Sequence, residues 1–347
     1  MAERVRIGVI GCGAIAKHLH VPDYHVCPEA EIVALCDILP EKAEALAGQF
    51  APGAKIYSDY RDLLKDKNVD AVSVCLPNVL HGPVTIDAVN AGKHVLVEKP
   101  MATSVAEAHA MMDAAKAAGV QLLVNQAQRR FGPHRKAKEV LDSGIMGEVL
   151  YVTAMFGHSG PENWSPTGKW FFDKKQARFG AMADLGVHKA DLIRFLTGKE
   201  VTEIAAFYDR LDKPYGDVED NFAACLRLEG GAMGTLGASW TVKGGKNADY
   251  TILHCTNGTL RVLAWPDQPC IAHLVKPQST IEFDIPPPLN EYGAGWGVDI
   301  GGAFVRAILG TEEPFCTGDE GMRSLAVILA AEEAADSGRT VKVRYTP

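Results

Sequence analysis

A short run, Val-Arg-Ile-Gly-Val-Ile over Val5–Ile10, empties directly into Gly11-Cys12-Gly13-Ala14-Ile15-Ala16. No other stretch constrains the fold as strongly. A brief apolar run reads as a buried strand, and the spacing G-x-G-x-x-A after it predicts a tight turn that opens a helix. Gly11 permits the turn. Gly13 lets backbone N–H groups, with Ala14 and Ile15 beside them, approach an anion at the helix N-terminus, and Ala16 is small enough for close helix–strand packing. A second strand-like run, Glu31–Cys36, ends at Asp37, about 20 residues further on, where a carboxylate accepts hydrogen bonds from a ribose 2′-hydroxyl and repels a 2′-phosphate. Ile38 and Leu39 follow, with no arginine to hold such a phosphate. The pattern predicts a pyrophosphate-binding turn for NAD, with NADP disfavoured.

The same alternation continues. Ala71–Leu76, His94–Val97 and Val120–Val124 are strand-like, with Tyr57 marking a short third strand. Pro40–Phe50 and Ser104–Ala118 are helix-forming, the latter ended by Gly119. Near-continuous apolar strands alternating with helices predict a parallel sheet covered on both faces, a doubly wound Rossmann domain over residues 1–125. Loops at the carboxyl ends of such strands line the ligand crevice. Leu76, Pro77, Asn78 and His81 therefore become cofactor-site candidates, with packing as the alternative for His81. Glu98, Lys99 and Gln126 join them at later strand ends.

From residue 126 to 347 the pattern changes. Glu148–Phe156, Val201–Asp209, Asn221–Leu228, Met233–Thr241, Thr251–Cys255 and Thr259–Leu263 read as strands. Turn-forming residues separate them: Glu229-Gly230-Gly231, Lys243-Gly244-Gly245 and the hairpin signal Asn257-Gly258. Helices are predicted at Ala181–Leu196, Val298–Leu309 and Glu320–Ser337. The second domain is thus predicted as α+β around a large, mainly antiparallel open sheet, with the last helices available to pack back on the first.

Charge and cysteine content exclude other classes. A net charge of −8 argues against a nucleic-acid partner, and no apolar run approaches the ~20 residues of a membrane span. The opening Met-Ala-Glu-Arg-Val-Arg-Ile carries no secretory pattern, so a cytoplasmic protein is expected. The eight cysteines form no C-x-x-C pair and read as small buried hydrophobes.

Two segments carry acid–base chemistry. Val95-Leu96-Val97-Glu98-Lys99-Pro100 is an apolar strand ending in a charged pair, and an ammonium there can stabilise developing alkoxide charge or relay a proton. In Asp184-Leu185-Gly186-Val187-His188, continuing to Asp191, an α-helix would set Asp184 and His188 four residues apart on one face with Asp191 close by. A histidine oriented by a carboxylate is suited to proton transfer near neutral pH. Taken alone, the pair reads equally as a satisfied core pair or as two thirds of a metal site; no third ligand with suggestive spacing accompanies it, so no metal is predicted.

Gly11–Ala16, Asp37, Glu98-Lys99-Pro100 and Asp184-x-x-x-His188 together resemble the glucose–fructose oxidoreductase / inositol dehydrogenase / rhizopine-catabolism (Gfo/Idh/MocA) family over essentially the whole chain. The resemblance implies a Rossmann domain followed by a domain whose open sheet mediates homodimers or homotetramers. It also implies oxidation of a secondary alcohol of a sugar, inositol or polyol, or the reverse reduction. Lys99 would position the substrate and assist proton transfer, His188 would be the general acid/base, and Asp184 would support it or bind a substrate hydroxyl. The family often has a cis peptide before the motif proline, here Pro100. Ala181 stands where many relatives carry a second glycine.

Arg130, leaving the last Rossmann strand, and His158 and Trp170, in a loop rich in Gly, Pro and aromatics, are further substrate-binding candidates; the loop reads equally as a surface segment. Trp296 reads as packing. Two other classes fit the same residues: an NAD-dependent, redox-neutral glycosidase, and a non-catalytic NAD-binding sensor.

Overall fold

The computed structural model describes residues 4–244, 248–264, 269–290 and 294–347, so Gly245 of the Lys243-Gly244-Gly245 junction lies outside it. The chain forms two compact units. One takes the described residues of Met1–Ala127, Trp164–Trp170 and Leu289–Met322, and the other those of Gln128–Asn163, Phe171–Pro288 and Arg323–Pro347.

The first unit is built on six strands: β1 (Val5–Ile10), β2 (Ala30–Cys36), β3 (Lys55–Tyr57), β4 (Ala71–Val74), β5 (His94–Val97) and β6 (Leu122–Val124). They pair in parallel in the order β3-β2-β1-β4-β5-β6, the doubly wound order, which reverses direction between β1 and β4. All four β4 residues are buried, as a strand covered on both faces requires.

The connecting helices are α1 (Val21–Val26), α2 (Pro40–Phe50), α3 (Tyr60–Lys65), α4 (His81–Asn90) and α5 (Val105–Ala118). Ser104 caps α5 by accepting the Glu107 N–H, Glu107 takes the Thr103 N–H in return, and Gly119 ends the helix at φ 68°. The helix opened by the glycine turn is not α-helical throughout. Ala16–His20 is one π-helical turn in which the Val21 N–H reaches back to the Ala16 carbonyl. The following Pro22 has no amide hydrogen to offer, and the wide turn accommodates that loss.

The second unit holds nine strands: β7 (Val149–Gly157), β8 (Val201–Asp209), β9 (Asn221–Leu228), β10 (Met233–Ser239), β11 (Ala248–Cys255), β12 (Gly258–Leu263), β13 (Cys270–Val275), β14 (Gln278–Phe283) and β15 (Val341–Lys342). Their order is β14-β13-β12-β11-β7-β10-β9-β8-β15, antiparallel except for the β7–β10 pair. Asn257-Gly258 turns β11 into β12, and a Cβ at Gly258 would lie 2.1 Å from the His273 carbonyl oxygen. The register puts Ala205, Phe207, Cys225, Met233, Tyr250, Ile252 and Val275 on one face. Phe207, Met233 and Val275 on that face are exposed, whereas Phe222, Leu226, Leu236, Leu253 and Leu260 on the other are buried. Cys225 is therefore exposed, correcting its reading as a buried hydrophobe, while the other seven cysteines are buried.

Helices α6 (Gly132–Asp142), α7 (Lys174–Ala177) and α8 (Val187–Thr197) belong to this unit. Helix α9 (Ile300–Ile308) belongs to the first, and α10 (Gly318–Ser337) contributes to both. Among the described residues no helix is long and apolar enough to cross a membrane.

One buried ion pair ties α8 to the sheet. Lys189 Nζ lies 2.5 Å from Asp249 Oδ1 on β11, with both side chains fully buried, and Gln128 Nε2 donates to Asp249 Oδ2 at 3.1 Å. Burial pushes the Asp249 carboxyl up against the pull of the Lys189 charge. Removing one partner strands the other, so Lys189→Met should cost about 3–5 kcal/mol in urea unfolding. Lys189→Met/Asp249→Leu should recover most of that loss.

Candidate functional site

In the first unit the glycine turn is fixed by close backbone contact. The Gly11 N–H donates to the Cys36 carbonyl at 2.8 Å, and Gly11 sits at φ 93°. A Cβ there would lie 2.2 Å from the Cys75 carbonyl oxygen and 3.1 Å from Leu76 Cδ2. Gly13 is the opposite case, since a Cβ on it would meet nothing within 4 Å. One glycine is needed because the chain is crowded; the other leaves its amide edge open to an approaching group.

Asp37 does more than the sequence indicated. Its Oδ2 accepts the Cys12 N–H and its Oδ1 the Leu39 N–H, both at 2.9 Å, so the carboxylate also holds the glycine turn. Ile38 beside it is 86% exposed.

Lys99 follows the carboxyl end of β5, and the Lys99–Pro100 peptide is cis. Its neighbour Glu98 is buried in a polar network that sequence reasoning missed. Glu98 Oε1 takes hydrogen bonds from His20 Nε2 at 2.8 Å and Asn125 Nδ2 at 2.6 Å, and Oε2 takes the Lys99 N–H at 3.2 Å. His20 Nδ1 lies 3.0 Å from Ser73 Oγ, which meets the Tyr24 hydroxyl at 2.8 Å. Burial pushes the Glu98 carboxyl up. The hydrogen bond and charge of His20, the Lys99 charge and the Asn125 amide together outweigh it and hold the group down to about 2. Glu98 is therefore ionised at neutral pH. Asn125 Oδ1 is a buried acceptor with no partner among the described residues.

The remaining first-unit candidates differ in kind. Leu76 and Pro77 are partly exposed at the end of β4, and Asn78 and Gln126 are buried. His81 is buried, with Nδ1 at 2.7 Å from the Pro100 carbonyl and Nε2 at 2.8 Å from that of Leu76. Burial lowers its pKa against the pull of both carbonyls. Its ring joins the loops that follow β4 and β5. Trp170 lies in the 3₁₀ turn Lys169–Phe172 and Trp296 in the turn Ala294–Gly297, where it is 45% exposed rather than packed.

In the second unit the Asp-His-Asp stripe is not one α-helical face. Met182–Gly186 forms a π-helical turn carrying Asp184, and α8 begins after it with Val187 and His188. Asp184 Oδ2 accepts the Trp240 indole N–H at 2.9 Å and lies 3.5 Å from His158 Nε2. His158 Nδ1 accepts the Gly160 N–H at 3.0 Å, so in the neutral ring the hydrogen sits on Nε2, facing Asp184. The His188 ring lies 6.0 Å from that of Phe156. Asp191 instead forms a bidentate pair with Arg129, at 2.7 and 2.8 Å, and accepts the Ser324 hydroxyl. Arg130, beside Arg129, is partly exposed, and its carbonyl accepts Arg135 Nε. Among the described residues no cluster of His, Cys, Asp or Glu could hold a metal ion.

A doubly wound sheet with this glycine turn and acid defines an NAD-binding oxidoreductase fold. The comparisons with known proteins agree. Residues 5–126 match the oxidoreductase-family model described as an NAD-binding Rossmann fold, and residues 134–261 match the Gfo/Idh/MocA C-terminal domain. Myo-inositol 2-dehydrogenase of Thermotoga maritima is 30% identical over 67% of this chain and 67% of its own length. The 1,5-anhydro-D-fructose reductase of Ensifer adhaerens is 28% identical over 97% of this chain and 98% of its own. The structure of the WlbA dehydrogenase from Bordetella pertussis in complex with NADH and UDP-GlcNAcA superposes with a TM-score of 0.85 at 26% identity, covering 99% of each chain. The chain belongs to the Gfo/Idh/MocA family of NAD-binding oxidoreductases.

The residues present fit NAD: an open Gly13 edge, a carboxylate in place at Asp37, and a buried acceptor on Asn125, just past β6, without a partner among the described residues. Gly11→Ala should weaken NAD binding more than tenfold in calorimetry, because the new methyl meets a backbone carbonyl. Asp37→Ala should weaken it too, and should narrow the preference for NAD over NADP by about tenfold. An unchanged ratio would remove Asp37 from the ribose contact.

Proposed function

We propose that this chain oxidises a secondary alcohol of a sugar, inositol or polyol to the ketone, or catalyses the reverse reduction. The observation that carries this reading is an Asp184 carboxylate held by the Trp240 indole, in a chain whose β5 is followed by Glu98-Lys99-Pro100 and which belongs to a family of NAD-binding sugar oxidoreductases. NAD, when bound, supplies the hydride acceptor.

The chain's own residues do the rest. Gly11, Gly13, Ala14, Ile15 and Asp37 hold the cofactor, with Leu76, Pro77, Asn78 and Gln126 at the neighbouring strand ends. Lys99 gives its ammonium hydrogens to the substrate oxygen, favouring the alkoxide-like charge that develops as the C–H bond breaks. His188 takes the hydroxyl proton, and Asp184 orients the substrate or the imidazole. His158, Arg130 and Trp170 bind the ring and its remaining hydroxyls. The exposed Phe207, Met233 and Val275 face of the nine-stranded sheet suits a second copy of this chain, as a homodimer or homotetramer.

NADH formation at 340 nm with inositols, aldoses and glycosides tests the reading. Lys99→Met and His188→Ala should each lower kcat by about 100-fold or more while NAD still binds. Turnover unchanged in either variant removes that residue. Aglycone release without NADH would point instead to a redox-neutral glycosidase. Phe207→Lys should shift the sedimentation coefficient toward the monomer, and an unchanged coefficient would place the contact elsewhere.

A further inference from the structure

The π turn carrying Asp184 needs a fixed starting point, and the structure supplies one from far along the chain. Glu219 precedes β9 and is 9% exposed. Its Oε1 accepts the Gly180 N–H at 2.7 Å and the Met182 N–H at 2.9 Å, while its carbonyl accepts the Ala181 N–H at 3.0 Å. Three consecutive amides that a helix N-terminus would leave unsatisfied are thus taken by one residue. The approach is close enough that a Cβ on Gly180 would lie 1.9 Å from the Glu219 carbonyl oxygen, so Gly180 has no alternative. The Asp184 N–H then bonds the Gly180 carbonyl at 3.0 Å.

The next residue grips the same site from the other side. The Asp220 carbonyl accepts the Trp240 N–H at 2.8 Å, and it is the Trp240 indole that holds Asp184. Trp240 is fully buried and packs edge-on against Phe172, with ring centroids 5.5 Å apart. Two adjacent residues therefore fix both the backbone from which Asp184 hangs and the donor its carboxylate meets.

We propose that Glu219 is a positioning residue of the acid–base pair: by taking the Gly180 and Met182 amide hydrogens it sets the register of the π turn, and so where Asp184 and His188 stand. The proposal rests on the acid–base reading above for its effect on turnover, and on geometry alone for its effect on Asp184.

Burial pushes the Glu219 carboxyl up to about 7, with the Glu332 charge adding to the rise and the amide hydrogen bonds opposing it. The groups around it are Glu332 from α10, paired with Arg178, Tyr208 from β8, bonded to Asp336, and Lys174, Arg178 and Asp217 from the adjoining segment. A carboxyl raised in the folded state gives stability that is fully present below its ordinary value near 4.5. That stability is lost as pH rises through about 7. Glu219→Gln keeps an oxygen for both amides and cannot ionise, so it should remove this component of the pH dependence of Tm.

The decisive experiment is a ¹H–¹⁵N indole spectrum of the full chain, which has five tryptophans. Trp240→Phe assigns the relevant signal. Glu219→Ala should move the Trp240 signal and leave the others, lower kcat on the best substrate of the panel by about 10- to 100-fold, and leave the NAD Kd unchanged. Glu219→Gln should keep the signal in place and keep most of kcat. A Trp240 signal unmoved in Glu219→Ala overturns the proposal, as does a Gln variant indistinguishable from Ala. If Glu219→Ala does not fold, Glu219→Asp, one methylene shorter, must move the Trp240 signal alone, and failure to do so counts against the proposal equally. Turnover that survives His188→Ala would sink the acid–base reading instead, and the indole spectra would still decide on Glu219.

Discussion

An ionised carboxylate in a protein interior is expensive, and the first unit keeps one at the end of its sheet. Glu98 can be there because His20, Asn125 and the Lys99 amide occupy its oxygens. Each comes from a different part of the fold: the π turn after β1, the residue past β6, and the end of β5 itself. The network therefore works only if the strand order and the wide turn before Pro22 are both in place. It also reaches back through Ser73 and Tyr24, so the hydrogen-bonded chain spans the centre of the sheet. Lys99 follows directly on this rigid group, and its backbone is held by the carboxylate that precedes it. The glycine turn lies at the same carboxyl edge of the sheet, where the Gly11 N–H meets the Cys36 carbonyl and a Cβ on Gly11 would run into that of Cys75.

Much of this was legible in the sequence, for a physical reason. Parallel strands buried on both faces must be apolar throughout, a tight turn against a backbone carbonyl must be glycine, and a helix such as Ser104–Ala118 announces its cap and its stop. These are local requirements met by local residues. The second sheet was read strand by strand up to Leu263, because alternating burial leaves a period of two. The pattern signals none of β13, β14 or β15: β14, with every second residue exposed, presents few apolar residues, and β15 is two residues long.

What escaped is long-range. Glu98 finds His20, Asp184 finds Trp240 and Gly180 finds Glu219 across large sequence separations, and nothing near any of these residues names its partner. The position of Asp37 points to a ribose ligand; its grip on the Cys12 amide appears only when β1 and β2 lie side by side. The composition around Asp184 allows an α period. The π turn instead comes with long-range contacts, Glu219 on the Gly180 and Met182 amides and Trp240 on Asp184, which no window of sequence contains.

That turn separates two carboxylates that the sequence treats alike. Asp191 meets a guanidinium in a fork of two hydrogen bonds and a hydroxyl besides, an arrangement that commits it to holding α8 in place. Asp184 meets an indole N–H and faces an imidazole whose other nitrogen is already spent on Gly160. An indole N–H orients a carboxylate without neutralising it. A uniform α-helix would set the two acids on nearly one face. The wide turn breaks that equivalence, so one acid is committed to an arginine and a serine while the other meets an indole and an imidazole.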